Sequence, residues 1–80
     1  MNSSALRLTP LQSRMGRAAL EWTQAELSEE AGVPLNTIVR FERGEGLASE
    51  ANVVALRQAM EAAGVMFSGA DGARLPASKS

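Results

Sequence analysis

Three polar residues in the middle of the chain have the types and the spacing needed to read DNA bases. Asn36, Arg40 and Arg43 follow one another at i, i+4 and i+7, so on a helix they form one stripe. Asparagine can make two hydrogen bonds to adenine, and arginine can make two to guanine. Leu35 lies beside the stripe, where it could contact a thymine methyl group. A solvated helix face would also be polar, so the surrounding segment decides between the two interpretations.

That segment, residues 24–44, has the pattern of two short helices joined by a tight turn. Its sequence is QAELSEEAGVPLNTIVRFERG, with Gly32 where the chain must adopt a left-handed conformation. Five apolar residues are spaced to close one small core around the turn: Leu27, Ala31, Val33, Ile38 and Phe41. A helix-turn-helix of this kind places its second helix in the DNA major groove. We therefore interpret the polar stripe as a base-reading surface.

Composition excludes most catalytic and metal-binding alternatives. The 80 residues suffice for one small domain and include no cysteine and no histidine. Disulfides, thiolate metal sites and the usual general base are thereby excluded, and neither an enzyme nor a cofactor is expected. No apolar run is long enough to span a membrane and no signal peptide begins the chain, so we expect a cytoplasmic protein. The net charge of −1 argues against a strongly basic, non-specific DNA binder but leaves a specific one open.

Capping signals predict four helices, and hence an all-α bundle. Thr9, followed by proline and three positions later by glutamine, is a capping box that starts helix one, which should end near Glu21. Thr23 forms a second capping box and starts helix two. Pro34 is predicted as the first residue of helix three, and Ser49 as the N-cap of helix four.

Two polar features of the helices need partners. Glu42 falls on the core-facing side of helix three, where an unpaired carboxylate would be costly, and Arg17 of helix one is its best candidate partner. Arg57 and Glu61 are spaced i, i+4 and are expected to form a solvated pair.

Helix one carries two stripes, for contact with more than one neighbour: Leu11, Met15, Ala18 and Trp22 in one, and Ser13, Gly16, Arg17 and Leu20 in the other.

One DNA-binding domain is predicted between two tails. Residues 1–8 are polar and are expected to be a flexible tail, the alternative being an arm that contacts DNA through Arg7. Residues 9–67 should form the helix-turn-helix domain. Residues 68–80 would contain the return strand of a short hairpin, followed by a flexible C-terminal tail.

The end of the domain is also the predicted dimer interface. Val65, Met66 and Phe67 form a short β-prone run, which could begin a hairpin or pair with a second subunit. A core of this size gives marginal stability, so self-association would help. We expect a homodimer formed through helix four and residues 65–67.

The stretch RAALEWTQAELSEEAGVPLNTIVRFERGEG resembles the XRE/Cro type of the lambda-repressor-like helix-turn-helix family. The shared pattern is an arginine in helix one, Q-x-x-L at the start of helix two, Gly-Val in the turn, and I-x-x-F-E-x-G at the end of helix three. The resemblance covers roughly residues 9–67. It implies a lambda-repressor-like bundle of four helices, with a C-terminal strand or hairpin as a further element.

The resemblance also implies roles for individual residues. Those expected to approach base edges are Leu35, Asn36 and Arg40. Those expected to contact phosphate or the DNA backbone are Thr23, Gln24, Thr37 and Arg43. The resemblance pairs Arg17 with Glu42, as the helix geometry does independently.

The function predicted is that of a sequence-specific regulator of transcription, most simply a repressor. It would bind double-stranded DNA as a homodimer on a two-fold symmetric operator and be controlled by its own concentration or by a regulatory protein partner. An antitoxin and the controller of a restriction–modification system are alternatives within the DNA-binding class. The alternative from another class is a protein-interaction module that uses the fold without DNA, which the low pI of 5.3 favours.

Overall fold

Four helices and a short C-terminal hairpin make up the computed structural model, which describes residues 7–45 and 48–76. The helices are α1 (Pro10–Leu20), α2 (Gln24–Ala31), α3 (Leu35–Glu42) and α4 (Glu50–Ala62), and the strands are β1 (Met66–Ser68) and β2 (Gly72–Arg74). The predicted all-α bundle with a C-terminal hairpin is therefore confirmed. None of the described helices has the length and apolar character required to cross a membrane. Most of the predicted N-terminal tail and the end of the C-terminal tail lie outside the described residues.

Local capping sets the helix boundaries. The hydroxyl oxygen of Thr9 accepts a hydrogen bond from the backbone N–H of Gln12, whose side chain accepts one from the N–H of Thr9. Thr23 and Glu26 form the same reciprocal pair at the start of α2. The prediction for Pro34 was wrong by one residue. It is the N-cap of α3, because its extended ψ of 141° keeps it outside the helix.

The helix-turn-helix core closes as the apolar spacing predicted. Gly32 has a φ of 71° and ends α2, and the hydroxyl of Ser28 donates a 2.6 Å hydrogen bond to the carbonyl oxygen of Val33 across the turn. The residues of the buried core come from the N-terminal segment, α2, the turn after it, α3, α4 and the approach to β1: Leu8, Leu27, Val33, Ile38, Leu56, Met60 and Val65. Leu8 is only 4% exposed, so the last residue of the predicted tail belongs to the folded domain.

The buried face of α1 contains Ser13 and Gly16 of the second predicted stripe, together with Gln12, which neither stripe included. Leu11 and Ala18 are exposed, whereas Gln12, Ser13 and Gly16 are buried. The helix turns this small and polar face inward because its neighbours there are the hairpin and the carboxylate of α3.

Gln12 holds the hairpin against α1. Its amide nitrogen donates to the carbonyl oxygens of Gly69 and Gly72 at 2.9 and 3.1 Å, and the hydroxyl of Thr9 donates to Ala70 at 2.7 Å. The two strands pair antiparallel within the chain, with Phe67 opposite Ala73. A two-stranded hairpin is marginal alone, so these contacts with α1 help to stabilise it.

Replacement of Gly16 by alanine is predicted to destabilise the fold. A Cβ atom there would lie 2.7 Å from the sulfur of Met60 and 3.2 Å from Cζ of Phe67. Met60 is fully buried, so its side chain has no solvent to move into. We expect overpacking to lower the free energy of unfolding by about 1–3 kcal/mol. The better helix propensity of alanine, worth roughly 1 kcal/mol, offsets part of this loss. Urea denaturation followed by circular dichroism measures the net loss in the free energy of unfolding.

The control is the same substitution in a Met60→Val background, where the shorter side chain removes the clash. Gly16→Ala should then cost less than it does in the parent. A Gly16→Ala variant more stable than the parent would contradict the close approach of α1 to Met60.

Candidate nucleic-acid interface

The site is built around the carboxylate of Glu42, which is 3% exposed at the end of α3. Arg17 of α1 donates to it through two nitrogens, with Nη2–Oε1 at 2.7 Å and Nε–Oε2 at 2.9 Å. Ser13 of α1 donates to Oε2 at 2.5 Å, and Gln24 of α2 donates to Oε1 at 3.0 Å. One carboxylate therefore joins three helices, and the pair predicted between Arg17 and Glu42 is formed.

The protonation of Glu42 reflects two opposing effects. Burial raises the pKa of its carboxyl, whereas the hydrogen bonds from Arg17, Ser13 and Gln24 and the positive charge of Arg17 lower it. The bonds and the charge prevail, so the pKa of Glu42 lies below its ordinary value. The carboxylate is therefore ionised at neutral pH, as the ion pair requires.

The polar stripe of α3 lies on the opposite side of that helix from Glu42. Asn36 and Arg40 are exposed, as is Leu35 at the start of the helix. Ile38 and Glu42 are buried on the other side, and Phe41 is half-buried. The burial of one face leaves the stripe facing solvent and available to a partner.

Three of the residues predicted to contact phosphate line one open cavity of about 450 Å³. Thr23 and Gln24 lie at the start of α2, and Arg43 lies at the end of α3. The backbone N–H groups in the first turn of α2 have no carbonyl acceptor within the helix. The N-terminal end of α2 therefore carries partial positive charge toward this cavity. Thr37 is half-buried on α3 and does not line it.

All three of these residues have partners inside the protein, and that of Thr23 is Glu26 of its capping box. Gln24 uses one amide hydrogen on Glu42, which leaves the second hydrogen for another acceptor. Arg43 lies 3.9 Å from Glu45, and both side chains are largely exposed, so this surface pair contributes little and can exchange for a phosphate.

Arg14 is a cavity residue that sequence reasoning missed. It is exposed on α1, one turn before Arg17, and its guanidinium donates to the backbone carbonyl oxygen of Glu42. It lines the same cavity as Gln24 and Arg43. The available signal was its i, i+3 spacing from Arg17, which places both arginines on the side of α1 that meets α3.

The residues predicted for dimerisation have separate environments. Val65 is buried in the core of its own chain, which corrects its assignment to a dimer contact. Phe67 is half-buried, with the guanidinium carbon of Arg57 5.2 Å from its ring centroid. Met66 is 50% exposed and faces outward. A strand points alternate side chains to opposite faces, so the three residues cannot share one surface.

Helices α2 and α3, joined by the turn at Gly32, define a helix-turn-helix protein. The family model described as Helix-turn-helix, HTH_3, matches residues 14–62, more than half of the chain. The chain therefore belongs to the XRE, lambda-repressor-like helix-turn-helix family. Membership implies DNA binding and a part in transcription regulation. Comparison with curated proteins gave no match.

Within 7–45 and 48–76, no group of three or more metal-ligating side chains is placed to hold an ion. The family is regulatory rather than enzymatic.

Loss of the Glu42 carboxylate is predicted to be the most damaging single change in the site. Glu42→Ala leaves Arg17 without its partner, and breaking a buried pair typically costs about 3–5 kcal/mol. Glu42→Gln retains the shape and removes the charge. Because the folded pKa lies below the unfolded value, the charge stabilises the parent above pH 4.5, the ordinary value, and this stability is lost as pH falls through the folded pKa.

Urea denaturation as a function of pH tests this prediction. The difference in unfolding free energy between the parent and Glu42→Gln should be largest near neutral pH and should shrink on acidification below 4.5. Glu29→Ala, on the exposed face of α2, is the matched control and should change stability little. A Glu42→Ala variant as stable as the parent would show that the carboxylate is not required for folding.

Proposed function

We propose that this protein is a sequence-specific regulator of transcription that binds a two-fold symmetric operator as a homodimer and acts as a repressor. The observation that supports the proposal best is the outward stripe of α3, where Asn36 and Arg40 are exposed while the opposite face of the helix is buried. These side chains are suited to hydrogen bonding with base edges, and α3 is the helix that such a motif places in the major groove.

Phosphate contacts would frame the base-reading helix. Thr23 and Gln24, at the start of α2, and Arg43, after α3, line one cavity with Arg14. A phosphate group there would meet the positive end of α2 and the second amide hydrogen of Gln24. Such contacts orient a protein on DNA without reading its sequence.

Dimerisation is proposed through α4 and the outer face of the hairpin. Met66 and Leu75 are large apolar residues that are exposed on or beside the strands. The small size of the domain also favours association. Two copies related by a two-fold axis would present two α3 helices to successive major grooves, as a symmetric operator requires.

Base reading and phosphate contact are separable by two arginine substitutions on α3. Arg40 lies mid-stripe, so Arg40→Ala should cost about 1–3 kcal/mol on the preferred operator and relax the choice of one base pair per half-site. Arg43 lies at the helix end, so Arg43→Ala should weaken all sequences about equally and reduce the salt slope by roughly one for each phosphate that is no longer neutralised. Competition binding over operator variants, at several salt concentrations, measures both effects.

Asp71→Ala, on the exposed hairpin turn, changes one charge away from the proposed DNA contacts and serves as the control. If Arg40→Ala keeps the base preference and Arg43→Ala loses it, α3 docks in another register. If neither change alters DNA binding, the interaction-module alternative gains.

The dimer proposal predicts that one charge on the hairpin separates the subunits. Met66→Lys places an ammonium group in the proposed interface opposite Arg74, its cross-strand neighbour, where burial of like charges without a partner is costly. Sedimentation at tens of micromolar should show a dimer for the parent and a monomer for the variant. Leu35→Lys makes the same kind of change on exposed α3 and should leave the dimer intact. A monomeric parent, with or without operator DNA, would contradict the proposal.

A further inference from the structure

A second cavity, of about 710 Å³, lies between the N-terminal segment, the start of α1, α3, α4 and the turn of the hairpin. Its volume is in the range of pockets that hold small molecules. It shares no lining residue with the cavity at the start of α2 or with the outward stripe of α3. The proposed DNA surface therefore does not account for it.

The charged groups of this cavity are of one sign. Arg7 and Arg57 line it, and its described lining contains no aspartate or glutamate. The other polar groups there, such as the Thr9 hydroxyl and the Gln12 amide, already bond to the hairpin or to the start of α1. An occupant that complements these charges carries a negative charge.

Arg57 is held in place before any ligand arrives. Its side chain is 14% exposed, its Nε donates to Glu61 at 2.8 Å, and its Nη1 donates to the carbonyl oxygen of Arg7 at 2.7 Å. The ring of Phe67 lies against the guanidinium, 5.2 Å from centroid to Cζ. Among the described residues Nη2 has no hydrogen-bond partner, so it can donate to an acceptor in the cavity.

The remaining walls are mostly apolar. Leu8, Pro10 and Phe41 contribute hydrocarbon surface, and Ala70 contributes a methyl group at the hairpin turn. An inorganic anion would leave this surface in contact with water. A molecule with an apolar body would cover it, and burial of apolar surface is favourable at about 25 cal/mol per Å².

We propose that this cavity binds an amphipathic small molecule with one carboxylate, the carboxylate between Arg7 and Arg57 and the apolar body against Leu8 and Phe41. The site does not overlap the proposed DNA interface, since none of its residues belongs to that interface. Phe41 lies on α3, so a ligand that contacts Phe41 would act directly on the proposed DNA-reading helix.

Octanoate is a suitable probe, because it has one carboxylate and an unbranched apolar body. Titration of the isotope-labelled protein without DNA, followed by amide NMR, should shift the signals of Leu8, Phe41 and Ala70 in a saturable manner at millimolar concentrations. Octanol, which has the same chain and no charge, and inorganic phosphate, which has the charge and no chain, should each bind at least about tenfold more weakly.

Substitutions locate the carboxylate. Arg7→Gln, at an exposed position that is expected to leave the fold intact, and Arg57→Gln should each weaken octanoate about tenfold or more, as expected for loss of a charge-assisted hydrogen bond. Ala70→Phe, on the exposed hairpin turn, should block the cavity without altering either arginine. Arg74→Gln removes an equal charge elsewhere on the hairpin and should leave the affinity unchanged.

Three results would overturn the proposal. The first is the absence of saturable shifts with octanoate in the folded parent. The second is equal binding of octanoate and either octanol or phosphate. The third is unchanged octanoate affinity in both Arg7→Gln and Ala70→Phe, and this remains decisive even if Arg57→Gln does not fold.

Discussion

The buried carboxylate of Glu42 is the constraint on which the arrangement of the first three helices depends. A charge at 3% exposure is costly unless each oxygen is paired, and here the partners come from both other helices. Arg17 and Ser13 fix α3 against α1, and Gln24 fixes it against α2. The same contacts set the distance between the start of α2 and the outward stripe of α3, so the interaction that holds the fold also positions the proposed phosphate and base contacts.

Local features of the fold were predictable because their physics is local. A capping box needs residues three positions apart, and a glycine turn needs one backbone conformation, so Thr9, Thr23 and Gly32 indicated the helix ends directly. The burial of Gln12 on α1 was not predictable in this way. Gln12 bonds to carbonyl groups 57 and 60 residues away, and an amide could serve any carbonyl that the fold brings near. Only the packed hairpin shows why a polar residue lies inside and Leu11 lies outside.

In the candidate site, too, the features set by local physics were predictable and those set by distant contacts were not. The exposure of Asn36 and Arg40 follows from 100° per residue once Ile38 is buried, and the partner of Glu42 follows from the cost of an unpaired charge. Arg14 was missed because its role depends on where α3 ends relative to α1. Val65 was assigned to the dimer contact because a run of three apolar residues does not show, without its strand register, which of them face the core. Pairing of Phe67 with Ala73 turns Met66, and not its neighbours, outward.

A net charge of −1 is compatible with the proposed function because affinity and specificity draw on different charges. Arg14, Arg40 and Arg43 are exposed around α3, whereas the exposed glutamates of α2 oppose general attraction to the phosphate backbone. Non-specific binding comes almost entirely from phosphate contacts, so an acidic surface weakens it at every sequence alike. The proposed base contacts of Asn36 and Arg40 would be made only at the correct site. A protein built in this way would trade total affinity for a larger ratio of specific to non-specific binding, which is the quantity that selects an operator within a genome.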